Sequence, residues 1–93
     1  MSPVFYMSSP KLELYFFASC PFCVYVINTI QKYKIRVDYK DILSEKENRQ
    51  QLLRDTGRQT VPCLYIDGNP MHESSDIIRW LETNIEKLEK VEE

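Results

Sequence analysis

Leu12-Glu13-Leu14-Tyr15-Phe16-Phe17, followed after two small residues by Cys20-Pro21-Phe22-Cys23, is the stretch that decides the fold. The first six residues are apolar almost throughout, as in a strand buried at the centre of a sheet. Pro21 marks a helix start, because proline is tolerated at the first helical position, where no N–H is needed. Cys23, Val26, Ile27, Ile30 and Tyr33 then recur at helical spacing. A buried strand thus turns directly into a helix, and two cysteines stand at the turn.

Downstream, Ile35–Lys40 alternates, with Ile35, Val37 and Tyr39 on one side and Arg36, Asp38 and Lys40 on the other, which predicts a second strand. Ser44 and Glu47 have capping-box spacing and predict a helix over Glu45–Thr56, stopped by Gly57. Pro62–Ile66 reads as a strand, Asp67-Gly68-Asn69 as a tight turn and Pro70–His72 as a short return strand. Ser74 is the expected cap of a last helix with Ile77, Leu81, Ile85 and Leu88 on its apolar face. The charged tail Glu86–Glu93 is expected to fray.

The order β-α-β-α-β-β-α makes the first two strands parallel, through a helical crossover, and the last two antiparallel, through a tight turn. The expected architecture is α/β: a mixed four-stranded sheet with helices on both faces, a thioredoxin-like arrangement. Residues 1–10 read as a leader or an added edge strand around Val4–Met7, and residues 11–93 as the domain.

The 93 residues suit one domain, and no apolar run is long enough to span a bilayer. Residues 1–11 lack the basic segment and long apolar core of a signal peptide. The formal net charge of −2 gives no electrostatic reason to expect nucleic acid or an anionic membrane as partner. Three cysteines, an odd number, suit reduced thiols in the cytoplasm better than a disulfide-stapled secreted domain.

If Pro21 is the first helical residue, Cys20 is the N-cap. Its sulfur then faces free backbone N–H groups and the positive end of the helix dipole. Both favour the thiolate, which is the nucleophile. Cys23 lies within the first turn, close enough to form a disulfide with Cys20. The expectation is an exposed attacking Cys20 and a more buried resolving Cys23. The bland readings are idle thiols or a zinc half-site. A zinc knuckle needs a second ligand pair, and Cys63 with His72 shows no standard spacing, so no metal is expected. Cys63 reads as a small buried strand residue, His72 as a surface imidazole, and Trp80 and the tyrosines as packing.

Phe16 with Cys20-Pro21-Phe22-Cys23, then Thr60-Val61-Pro62, Asp67-Gly68 and Glu73-Ser74-Ser75-Asp76, together resemble a glutaredoxin of the dithiol type over about residues 11–88. The Glu-Ser-x-Asp-Ile run also resembles the glutathione transferase N-terminal domain. The resemblance implies a glutathione-dependent disulfide reductase, with glutathione as co-substrate and disulfide or glutathionylated proteins as partners, acting as a monomer. It implies a cis Pro62 facing the Cys20 pair. It implies that Phe22 and Pro62 border the glutathione site, that the Val61 backbone pairs with the cysteinyl part, that Ser74 holds the γ-glutamyl carboxylate and that Glu73 accepts from the γ-glutamyl amine. A helix N-terminus with a hydroxyl cap is independently a ready anion site. The chain departs from the pattern at Phe17. Many glutaredoxins carry Lys or Arg there, where it can pair with the glycyl carboxylate. Arg58 and Gln59 are the local substitutes, although Arg58 also reads as a solvated loop charge. Two other readings remain open: a transferase-like half-domain that binds glutathione without redox turnover, and a carrier of an iron–sulfur cluster ligated by Cys20 and glutathione.

Overall fold

The computed structural model describes residues 9–91. The expectation of a leader or edge strand in residues 1–10 lies, for residues 1–8, outside them. Four strands and three helices follow in the expected order: β1 (Leu12–Phe16), α1 (Pro21–Lys32), β2 (Asp38–Asp41), α2 (Lys46–Thr56), β3 (Cys63–Ile66), β4 (Asn69–Met71) and α3 (Ser74–Thr83), then a 3-10 turn at Ile85–Lys87. The sheet order is β2-β1-β3-β4. β1 runs parallel to β2 and antiparallel to β3, and β3 is antiparallel to β4. This is a thioredoxin-like α/β fold.

Strand alternation divides the core into two layers. Leu12, Leu14 and Leu64 face α1 and α3, where they meet Val26, Ile30, Ile77 and Leu81. Tyr15, Cys63 and Tyr65 face the other way, toward Leu52 of α2. Leu14 stands opposite Leu64 in the β1–β3 register, and both are fully buried. Truncating either to alanine costs about 2–5 kcal/mol, a large share of a typical domain's stability of about 5–15 kcal/mol. The β3–β4 turn carries Asp67 at φ 50° and Gly68 at φ 86°, the pair of positive φ angles that a two-residue hairpin of this hand requires.

Three expectations give way. The second strand begins at Asp38, not Ile35, because β1 offers partners only from Glu13 opposite Asp38. Ile35 instead bridges to Lys90, with Arg36 N donating to the Glu89 carbonyl at 2.8 Å and Val91 N to Lys34 O at 2.8 Å. The tail therefore does not fray as far as Val91: Leu88 is buried and the following residues pair with the segment before β2. The Ser44–Glu47 capping box does not form. Asp41 Oδ1 accepts from the N–H groups of Leu43 (2.8 Å) and Ser44 (3.1 Å), and Glu45 caps α2 without a side-chain bond. Gly57 ends α2 at φ 79°, as expected. Among the described residues, no helix is long and apolar enough to cross a membrane.

Candidate functional site

The site grows from the point where β1 hands over to α1. Cys20 is the N-cap of α1, at φ −79° and ψ 119°, with Pro21 at the first helical position. Its N–H donates to the Phe17 carbonyl at 3.2 Å, and its own carbonyl accepts from Val24 N at 3.0 Å. With its main chain drawn into this turn, Cys20 is only 7% exposed, not the open thiol that the sequence suggests. The order of the pair still holds, since Cys23 has no exposed surface. Burial pushes the Cys23 thiol up to about 12; a hydrogen bond with the Phe17 backbone opposes this, and the adjacent Cys20 sulfur adds to it. Cys23 is thus held as a neutral thiol beside Cys20. Cys20, Cys23 and Cys63 are all free thiols.

The Val61–Pro62 peptide is cis. Phe22, Val61, Pro62, Glu73 and Ser74, drawn from α1, the loop before β3 and the start of α3, line one groove of about 230 Å³. Thr60 joins them; it stands in the Thr-Val-Pro run, yet its contribution to the wall depends on how the loop turns and no local sequence signal gives that. Neither Cys20 nor Cys23 is part of the lining, so the thiols lie beside the groove and not within it. A larger open groove of about 470 Å³ lies at Met71, Arg79 and Trp80, away from these thiols.

The start of α3 also differs from the expectation. Ser74 is the first helical residue, and Glu73 is the cap. No side chain caps this end, so only the Ile77 N–H is taken, by the Glu73 carbonyl at 3.0 Å. Ser74 is therefore not a cap; it lines the groove at an α3 N-terminus that no side chain caps. Glu73 sits at φ 75° and ψ 112°, a sparsely populated conformation for a residue with a Cβ.

His72 turns inward. Its Nε2 lies 3.8 Å from Cys63 Sγ, and its Nδ1 is buried without a hydrogen-bond partner, so it is not the surface imidazole expected. Burial lowers its pKa, helped by the Arg58 charge and opposed by Glu73. Cys63 is fully buried, as expected, and burial pushes its thiol up to about 11. Among the described residues, no three His, Cys, Asp or Glu side chains converge as a metal-holding group.

Comparison with known proteins gives the family and the fold. The family model "Glutathione S-transferase, N-terminal domain" matches residues 14–87. A search of curated proteins finds no match. Among solved structures, a thioredoxin-like protein is 26% identical with a TM-score of 0.68, over 78% of this chain and 97% of that one. A glutathione S-transferase from the Antarctic clam Laternula elliptica is 30% identical with a TM-score of 0.69, over 84% of this chain but 36% of that one. A wheat glutaredoxin, 20% identical with a TM-score of 0.68 over 96% of this chain and 97% of that one, shares the fold. The chain belongs to the glutathione S-transferase N-terminal domain family.

Proposed function

We propose that this chain is a glutathione-dependent thiol–disulfide oxidoreductase of the glutaredoxin type. The observation that carries the reading is the placement of Cys20 at the N-cap of α1 with the buried Cys23 one turn inside, beside a groove lined by Phe22, Val61, Pro62, Glu73 and Ser74. A family member that only binds glutathione needs no second thiol at this position.

Cys20 attacks as its thiolate, the nucleophilic form of the thiol. On a glutathionylated protein, the Cys20 sulfur bonds to the glutathione sulfur and the protein thiolate leaves. A second glutathione thiolate attacks that mixed disulfide, giving glutathione disulfide and restoring the Cys20 thiolate. On a protein disulfide, Cys20 forms a mixed disulfide with the protein. Cys23 then gives up its proton to the departing thiolate and bonds to Cys20, releasing the reduced protein. Two glutathiones reduce the Cys20–Cys23 disulfide. The electrons come from glutathione in both cases, and no metal is used.

Glutathione lies in the groove with its cysteinyl backbone against Val61 and its γ-glutamyl carboxylate at Ser74, where the uncapped end of α3 favours an anion. Glu73 accepts from the γ-glutamyl ammonium. The protein works as a monomer in the cytoplasm, on disulfide-bonded and glutathionylated proteins. The test is a glutathione-coupled assay on a small mixed disulfide.

The transferase-domain match favours a second reading, glutathione binding without redox turnover. It requires tight glutathione binding and no loss of function in Cys23→Ser. The same assay separates the two, because only the oxidoreductase consumes glutathione in step with disulfide.

A further inference from the structure

We propose that Cys63 and His72 are a positioning pair that sets the spacing of the segments lining the groove beside Cys20, and that proton uptake by His72 loosens them and weakens glutathione binding. The inference rests on the glutathione reading above and adds a pH-sensitive control to the same groove.

The pair stands directly behind the groove. β3 and β4 are antiparallel, with Leu64 opposite Met71 at the open end of the hairpin. One step further along, Cys63 meets His72, whose Nε2 lies 3.8 Å from Cys63 Sγ. The next residue on each side, Pro62 and Glu73, lines the groove. Glu73 holds φ 75° and ψ 112°, a conformation that persists only where neighbouring structure fixes it, and the His72 contact lies one residue before it. Whichever part of glutathione lies between Pro62 and Glu73, this contact sets the spacing it meets.

The neutral imidazole suits these surroundings and the imidazolium does not. One ring nitrogen faces the Cys63 sulfur, and the other, Nδ1, is buried without a hydrogen-bond partner among the described residues. An imidazolium carries an N–H on both nitrogens, so it would bury an unanswered donor as well as a charge. Burial and then Arg58, from the loop after α2, hold the His72 pKa below its ordinary value of about 6.5. Burial and then Asp55 of α2 keep the Cys63 thiol neutral, against the Met71 backbone and Arg58. Tyr15 of β1 and Tyr65 of β3, the phenols whose ionisation Cys63 opposes, are themselves pushed up by burial first. Glu73 alone favours the charged ring, and it is exposed at the groove. The neutral contact therefore holds at pH 7 and is lost as pH falls through the lowered value of His72. The protonated ring then leaves Cys63 for Glu73, which frees the end of the hairpin and sets a cation against a carboxylate of the groove.

His72 is the only histidine of the chain, so one imidazole signal reports it in an NMR pH titration. S-methylglutathione serves as the ligand, because it cannot exchange thiols and its carboxylates and amine keep their charges from about pH 5 to pH 7. Calorimetry on the full chain should give a Kd roughly three- to fivefold weaker at about pH 5 than at pH 7. Saturation with the ligand should lower the His72 pKa by about 0.5–0.7, since proton and ligand oppose each other by the same factor. His72→Gln, which takes up no proton, should bind equally at both pH values. Equal affinity at both pH values in the parent, a His72 pKa that the ligand leaves unmoved, or a pH dependence retained in His72→Gln overturns the inference while the glutathione reading stands. No binding of S-methylglutathione at either pH overturns the glutathione reading and the inference with it.

Discussion

Cys20 caps α1 with 7% of its surface exposed, and Cys23, one turn further in, has none. That difference sets which thiol meets a reagent first. Iodoacetamide at about pH 8 should label Cys20 alone in the reduced native protein. Burial holds Cys23 up at about 12 and Cys63 up at about 11, so both stay protonated and shielded there. Mass spectrometry of the labelled peptides checks this, with Cys23 and Cys63 appearing only after denaturation. Equal labelling of Cys20 and Cys23 in the folded protein would remove the division between attacking and resolving thiols.

On the proposed mechanism the second thiol matters for one substrate class only. Cys23→Ser should retain most activity on glutathione mixed disulfides, where free glutathione resolves the Cys20 adduct. It should lose most activity on protein disulfides, where resolution is internal. Parallel assays with a glutathionylated peptide and a disulfide-bonded protein measure this. A similar loss on both substrates contradicts the assignment.

Ser74→Ala separates binding from stability cleanly, because the Ser74 side chain caps nothing. Thermal stability should change by no more than about 0.5 kcal/mol, in place of the usual cap cost of about 1 kcal/mol. The KM for glutathione should rise more than kcat falls, since the contact is made equally in ground and transition states. An unchanged KM would move the γ-glutamyl carboxylate elsewhere.

On the far face of the sheet, the Tyr65 hydroxyl donates to Asp55 Oδ2 at 2.7 Å, and Gln51 donates to both Asp55 oxygens. These bonds, Gln51 first and Tyr65 second, hold the Asp55 carboxyl below its usual range, while burial and then Asp55 push the Tyr65 phenol up. Tyr65→Phe should cost about 1 kcal/mol, discounted for the exposure of the carboxylate, or about 4–8 °C in Tm. A depressed carboxyl contributes stability above its unfolded value of about 3.9, and that contribution is lost as pH falls through the lower folded value. The gap between parent and mutant should therefore close in acid. Thermal melts from about pH 7 to pH 2 follow it, and a constant gap would contradict the role of the charge.

Which features were legible in the sequence follows from how local their causes are. Leu12–Phe17, Pro21 and the Asp67-Gly68 turn act within a few residues, and the parallel β1–β2 and antiparallel β3–β4 pairings follow from the connections between those strands. The β2 start and the ordered tail were not legible, because Ile35 finds its partner in Lys90, far along the chain. The cap of α3 slipped by one residue, since Glu73 takes a positive φ that its side chain does not announce. Phe22, Val61, Pro62, Glu73 and Ser74 were named through the family resemblance, and they share one groove. The depth of Cys20 and the inward turn of His72 depend on packing from several elements at once, which no spacing encodes.

In the proposed reaction Cys20 performs the chemistry. Glutathione-coupled turnover of a small mixed disulfide, measured on the parent and on Cys20→Ser, tests it most directly. The expected result is steady consumption of glutathione by the parent and none above the uncatalysed rate in Cys20→Ser, with both proteins equally folded by circular dichroism. Turnover in Cys20→Ser comparable to the parent, or no turnover in a folded parent, would contradict it.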